Sequence, residues 1–328
     1  MTIQLQRRAV LAAIALVATT AGTSFPTIAA DFPDRPLRLV VPYPAGGGAD
    51  TLGRVLAKQL SESLKQAVVV ENVIGAAGTM AASSVARARG DGYTLMLSNT
   101  ATHAIAPALY PQLPYDPVKD FVPLVHIASF GNAIAVHPSL PVHNVKELIA
   151  WSKKTSNGGS YGSWGIGSAG HLAMEMLQGE SGTKMLHIPY KGALLALNDT
   201  IAGQLPLTMV DVTTITPFYK TGKVRVIAVT GSKRAPSMPD VPTLTEQGIT
   251  FDTDSWYAVF APPQTPRPVQ EKLRAALAKL VVDQEIQKTL ASLGLNPSTL
   301  NVDEFAVMQR KDVATWARLA KLSGAKLE

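Results

Sequence analysis

The sequence contains no cysteine in 328 residues. That excludes disulfides, thiolate metal sites, a cysteine nucleophile and any lipid attached through cysteine. Charge is also scarce: only 16% of residues are charged, and they are nearly balanced at 30 Lys plus Arg against 24 Asp plus Glu. No basic run exceeds two residues, as in Arg7-Arg8, Lys153-Lys154 and Lys233-Arg234, and no aromatics interleave with them. Such pairs are solvated faces, and no nucleic-acid partner is expected. What is present in quantity is hydrophobic side chain, 46% of the chain. That is a globular composition, and the length suggests two domains under a prior of ~150 residues each.

Residues 1–30 read as an export signal, with Arg7 and Arg8 at the basic end, an apolar run over 9–21 and a Thr27-Ile28-Ala29-Ala30 end suited to cleavage. The run falls short of the ~20 residues of a membrane span, so a mature chain beginning near Asp31 is expected. It keeps 28 basic and 24 acidic residues, a net +4. Gln6-Arg7-Arg8-Ala9-Val10-Leu11 is a weak match to a twin-arginine signal.

From Pro36 onward, short β-branched runs alternate with helical patterns, which predicts an α/β fold with mostly parallel sheet. Strands are expected over 37–41, 67–70, 93–97, 122–127, 133–136, 160–163, 185–188, 205–211, 224–230 and 255–260. Helices are expected after a 44–50 loop and a 75–78 turn, at the Asn144/Glu147 capping box, and from His171, Gly192, Pro266 and Asn301, the last stopping near Gly324. Prolines at 107, 111, 114 and 117 make that stretch too proline-rich for a helix or a central strand. The chain ends on helices beyond a lone strand, as one returning to finish its first domain would. Crossovers are therefore placed near residues 130 and 252, giving one lobe of 31–130 plus 252–328 and a second of 131–251.

Two glycine-rich turns join a strand to a helix. Pro44, Ala45, Gly46, Gly47, Gly48, Ala49 and Asp50 form the first, where glycines let a ligand approach the backbone and free N–H groups at a helix start favour an anion. It lacks the Lys-Ser or Lys-Thr of a P-loop. Asp50 has two readings, helix N-cap or ligand contact. The second turn, Gly165-Ile166-Gly167-Ser168-Ala169-Gly170, matches the spacing of a dinucleotide fingerprint. The acid expected ~20 residues on is missing, because the chain there reads His187-Ile188-Pro189-Tyr190-Lys191.

Catalytic patterns are no stronger. The six histidines form no H-E-x-x-H, and His171 with Glu175 is the only helical i, i+4 pair of ligand types, too few for a zinc site. His171 stands in a first helical turn, where a cap or an interdomain hydrogen bond is the commoner role. There is no G-x-S-x-G elbow and no marked acid pair. Neither metal nor cofactor is expected. The paired turns, facing one another across an interdomain cleft, would place two helix N-termini on one anionic molecule.

These residues resemble a known family. Asp34-Arg35-Pro36-Leu37-Arg38-Leu39-Val40-Val41-Pro42-Tyr43 with Ala45-Gly46-Gly47-Gly48-Ala49-Asp50, then Asp91-Gly92-Tyr93-Thr94-Leu95, Leu113-Pro114-Tyr115-Asp116-Pro117, Tyr161-Gly162-Ser163, His187-Ile188-Pro189-Tyr190-Lys191-Gly192 and Pro239-Asp240-Val241-Pro242-Thr243, are similar in order to the solute receptors of tripartite tricarboxylate transporters, the Bug or TctC family. The resemblance spans essentially the whole chain after residue 30. It implies a two-lobed type II periplasmic-binding-protein fold that closes on a small carboxylate in the periplasm and passes it to a membrane permease. It also implies a monomer with no enzymatic activity.

By that likeness Tyr43 and Gly46 to Thr51, that is Gly46, Gly47, Gly48, Ala49, Asp50 and Thr51, contribute from the first lobe with Ala45, Ser98 and Asn99. Ser163, Trp164, Gly165, Ile166, Gly167, Ser168, His171, Tyr190, Lys191 and Asp211 contribute from the second. Tyr190 and Lys191 have the alternative of shaping the hinge. Trp164, Ile166 and Val212 depart from the family's small or polar residues, so an aromatic or partly apolar carboxylate is expected over a polyacid. Trp164 has the alternative of packing on the neighbouring helix, away from the cleft. A ligand-sensing partner of a membrane sensor kinase would use the same cleft, and a dinucleotide-dependent enzyme is the remaining class.

Overall fold

The computed structural model describes residues 32–251 and 253–323. The export-signal segment and the helix stop at Gly324 lie outside the described residues. The residues from Arg35 onward form one compact unit that carries both sheets.

Strand β1 (Leu37–Val41) pairs in parallel with β2 (Val68–Asn72) on one side and β3 (Thr94–Asn99) on the other. A strand between two parallel partners buries both faces, which explains its almost continuous apolar sequence. Helix α1 (Gly48–Leu64) follows and buries Leu52, Leu56 and Leu60, one face at i, i+4 spacing. Helix α2 (Thr79–Ala86) joins β2 to β3. After β3 come a π-helical turn over Ala101–Ile105 and one α-turn over Ala106–Leu109. Helix thus reaches into the proline-rich stretch: Pro107 lies in a first turn, where its missing N–H costs nothing. Residues 110–121 carry neither helix nor strand.

Strands β4 (Val122–Phe130), β10 (Ser255–Ala261) and β11 (Asn296–Pro297) complete a six-stranded sheet of order β11-β4-β10-β3-β1-β2. Strands β5 (Asn132–Val136), β6 (Ser160–Ser163), β7 (Leu186–Pro189), β8 (Leu207–Asp211) and β9 (Arg225–Val229) form the second sheet, ordered β7-β6-β8-β5-β9. Both sheets are mixed where mostly parallel ones were expected. The strands that follow a change of sheet, β5 and β10, run antiparallel to both neighbours.

Helices α3 (Val145–Lys154), α4 (Ala169–Ser181), α5 (Ala193–Ile201) and α6 (Val212–Tyr219) belong to the second sheet's segment. The helix start at α3 forms where the capping-box spacing predicts, Asn144 accepting the Glu147 N–H, while the returning Glu147 carboxylate accepts the His143 N–H one residue earlier than in the full box. At the carboxyl end, α7 (Arg267–Val282) and α8 (Gln284–Ser292) are separated at Asp283, whose side chain caps α8 by accepting the Glu285 and Ile286 N–H groups. Helix α9 (Val302–Ser323) buries Phe305 and Trp316, and Asp312 on it accepts the Trp256 indole N–H at 2.8 Å. No helix among the described residues is long and apolar enough to cross a membrane.

The chain changes sheets at Gly131 and again between Val229 and Ser255. The two passages are tied together: Asn132 donates its N–H to Thr230 Oγ1, and Thr230 donates its N–H to the Asn132 carbonyl, both at 2.7 Å. A β-carbon on Gly131 would lie 1.9 Å from the Thr230 carbonyl oxygen, so only glycine fits there.

Candidate functional site

A cavity of about 830 Å³ opens between the strand ends of the two sheets, large enough for a small organic ligand. One wall is the β1–α1 turn (Tyr43 to Ala45 and Gly47 to Ala49), the turn 74–78 before α2, and Asn99 to Ala101. The opposite wall is Trp164, Gly165 and Ile166 before α4, residues 189–195 around the start of α5, and Asp211 with Thr214. Phe130, Ser255 and Tyr257, beside the sheet-to-sheet passages, close the remaining side.

Of the residues marked from sequence, Tyr43, Ala45, Gly47, Gly48, Ala49, Asn99, Trp164, Gly165, Ile166, Tyr190, Lys191 and Asp211 come together on this cavity. The others lie behind it or beside it. Gly46 takes a positive φ of 84° and gives its N–H to Asp50 Oδ2 at 2.9 Å. Asp50 is buried in the first turn of α1 and also accepts from Arg54 Nε and Asn72 Nδ2. Burial opposes its ionisation, but the bonds from Arg54, Gly46 and Asn72 hold its carboxyl below the usual range. It braces the loop and is not the N-cap, a position Gly47 occupies. Thr51 is exposed on the helix. Ser98 is fully buried and bonded to Thr102 Oγ1 and His103 Nδ1, each at 2.6 Å.

Behind the second wall, Ser163 Oγ contacts His187 Nε2 at 2.7 Å, and Ser168 caps α4 through the His171 N–H. His171 Nδ1 accepts the Gly167 N–H at 3.1 Å, and its ring stacks on His187 at 4.1 Å. Gly167, Ser168 and His171 thus shape the turn that carries Trp164 to Ile166. Among the described residues no group of three or more His, Cys, Asp or Glu side chains is arranged to hold a metal.

The electrostatics come from the backbone. Helix α1 begins at Gly47 with no side-chain cap, so the amides of its first turn at Gly48 and Ala49 are available on the wall. On the opposite wall, α4 is capped by Ser168 and α6 by Asp211, which accepts the Thr214 N–H at 2.9 Å. It is α5, starting at Gly192, that lacks a side-chain cap there. The helix start on that wall without a side-chain cap is thus that of α5, preceded by Lys191, whereas the glycine-rich turn before α4 ends on the Ser168 cap. Burial raises the Asp211 carboxyl above its usual range and pushes the Tyr43 phenol up to about 12, so Tyr43 stays a proton donor at neutral pH.

Trp164 is not turned away from the cavity, although it also packs on the neighbouring helix. It lines the cavity, and its ring lies so close over Gly170 of α4 that a β-carbon there would come within 2.4 Å of it. Val212 does not accompany it: the side chain is fully buried in α6, on the side facing Gly294, and is not on the wall. The apolar surface comes instead from Ile74, Ile166, Leu194 and Leu195. The sequence reading missed Ile74, Leu194 and Leu195, and also Phe130 and Tyr257, whose rings stack at 4.6 Å. A Gly75–Gly78 turn and a helix after Gly192 were visible signals for the first three, while nothing local marks the aromatic pair.

The model of the tripartite tricarboxylate transporter family receptor matches residues 52–324. Protein BugT of Bordetella pertussis is 31% identical over 320 residues, covering 97% of this chain and 98% of that protein. A solved R. palustris protein with adipate superposes with a TM-score of 0.86 at 34% identity, over 90% of this chain and 100% of the other. The periplasmic binding protein BugD gives a TM-score of 0.84 at 36% identity over 90% and 100%. The chain belongs to the tripartite tricarboxylate transporter receptor family, the TctC or Bug proteins, and is a transport receptor of two α/β lobes, not an enzyme.

Proposed function

We propose that this chain is a periplasmic receptor that captures a small carboxylate with an apolar body, aromatic or hydrocarbon, and delivers it to a membrane permease of the tripartite system. The observation that carries this reading is the uncapped start of α1 facing a cavity whose far side is lined by Trp164, Ile166, Leu194 and Leu195, with Ile74 on the near wall. A carboxylate accepts from first-turn amides and complements the helix dipole. A second charge placed among the apolar side chains would be desolvated, at a cost of several kcal/mol. Lobe 1 is then 31–130 plus 252–328 and lobe 2 is 131–251, hinged at Gly131 and the Val229–Ser255 passage, with residues 1–30 removed on export.

A second ligand class has its own support. Lys191 is the basic side chain on the wall among the described residues, and it precedes the uncapped start of α5. Together they suit a distal carboxylate on a hydrocarbon spacer, as in adipate, the molecule held by the R. palustris relative. The deciding experiment is calorimetric titration of the protein with benzoate, adipate, malate and citrate. Tight binding of benzoate or adipate, recovered unchanged, supports the reading, while binding of none, or of citrate best, overturns it. A sensor-kinase partner would use the same bound form.

A further inference from the structure

Resting on that carboxylate reading, we infer that Ser255 is a ligand-contacting residue that helps set specificity, its hydroxyl donating a hydrogen bond to a carboxylate oxygen in the cavity. Ser255 is the first residue of β10, immediately after the second passage between sheets, and it is only 3% exposed. Its Oγ has no hydrogen-bond partner in the protein, yet the residue lines the cavity. The surroundings explain the orphan. Its register partner is Phe130, whose ring stacks on Tyr257, and the next amide, that of Trp256, is already spent on Thr100 Oγ1 at 2.8 Å. That amide is therefore not available to donate to the Ser255 hydroxyl, which is left without a partner.

A buried hydroxyl without a partner weakens a fold, and alanine would serve this strand position equally well. The group therefore fits an acceptor that arrives through the cavity. A serine hydroxyl donates readily to a carboxylate, and a hydrogen bond to a charged group in such a place corresponds to a change in affinity of about 10-fold or more. Ser83 on α2 provides the internal control. Its Oγ is likewise buried and unpartnered, but the residue does not line the cavity.

The test titrates the native protein, Ser255→Ala and Ser83→Ala with benzoate, adipate and malate, and records their melting temperatures without ligand. The expected result is that Ser255→Ala melts no lower than the native protein, while its affinity for the tightest of the three acids drops about 10-fold. Ser83→Ala should keep native affinity. If the native protein binds an acid and Ser255→Ala binds it within twofold, or if Ser83→Ala loses as much, this inference fails while the receptor reading stands. If the native protein binds none of the three, the receptor reading fails and takes the inference with it.

Discussion

Gly48, at the start of α1, and Asp211, at the end of β8, meet where the turns of the two sheets come together: a β-carbon on Gly48 would stand 2.8 Å from Asp211 Oδ1 and 2.8 Å from Thr213 Cβ. The glycine is therefore needed for close approach. Its neighbours serve differently. Gly46 needs its positive φ, whereas Gly47 is at a φ of −82°, and a β-carbon there would touch only its own loop at the Pro44 carbonyl, 3.7 Å away. Gly48→Val should hold the turns apart and weaken carboxylate binding by about tenfold or more, and its overpacking against Asp211 and Thr213 should also cost ~1–3 kcal/mol of stability. Gly47→Ala should bind nearly as the native protein does. Calorimetry on the two variants checks this, and equal affinities would remove the steric argument.

The passage between sheets allows a stability prediction. Gly131→Ala must displace the carbonyl of Thr230, a residue whose N–H and Oγ1 are both bonded to Asn132. Urea unfolding should show a loss of about 1–3 kcal/mol, whereas Gly179→Ala, inside α4 where a β-carbon meets nothing within 4 Å, should cause no loss. Equal midpoints for the two would show that the passage is loose.

Much of this was legible in the sequence because it is local. The strand over 37–41 and the helix start at Asn144 depend on neighbours within a few residues, and both form at the predicted positions. The break at Asp283 was equally local and was overlooked. The sheets' mixed direction was not legible, because it arises where distant segments dock. Ser255 and Tyr257 reach the cavity only because β10 returns between β3 and β4, where they meet Phe130 at the end of β4. Val212 shows the converse limit: it follows the wall residue Asp211 directly, yet the first turn of α6 rotates it into the core.

Buried histidines should govern the acid limit of stability. Burial holds His103 and His187 down to about 3 and His126 to about 4, and lowers His171, so the folded protein keeps them neutral. Below the ordinary histidine value of about 6.5 the unfolded chain takes up protons that the native state refuses. Their contribution is thus intact above about 6.5 and is lost progressively as pH falls toward 3. Asp312, raised to about 6 chiefly by burial, has the opposite sign: its cost is full above that pH and fades as it is protonated. Asp211, raised by burial, has the same sign as Asp312, but the three strongly depressed histidines outweigh these two raised acids, so the melting temperature should fall by about 5 °C or more between pH 7 and pH 5. A melting curve flat down to pH 4 would contradict the burial argument.

The far side of the cavity decides between an aromatic monocarboxylate and a longer diacid, and two substitutions separate them. Trp164 packs its ring against Gly170 while presenting it to the cavity, so Trp164→Ser removes both a stacking surface and helix packing. Stability should fall by about 1–3 kcal/mol, and an aromatic acid should lose a further ~0.5–1.5 kcal/mol of binding from the missing ring contact. Lys191 is exposed, so Lys191→Gln should leave stability and benzoate binding nearly unchanged. It should weaken adipate severalfold if a distal carboxylate meets Lys191 and the start of α5, an effect that added salt should mimic. Measuring benzoate and adipate on both variants gives four affinities. Benzoate sensitive to Trp164 with adipate indifferent to Lys191 identifies an aromatic monoacid receptor. Adipate sensitive to Lys191 with benzoate indifferent to Trp164 identifies a diacid receptor in which Trp164 is a packing residue. Citrate binding more tightly than either acid would show that the apolar wall does not face the ligand.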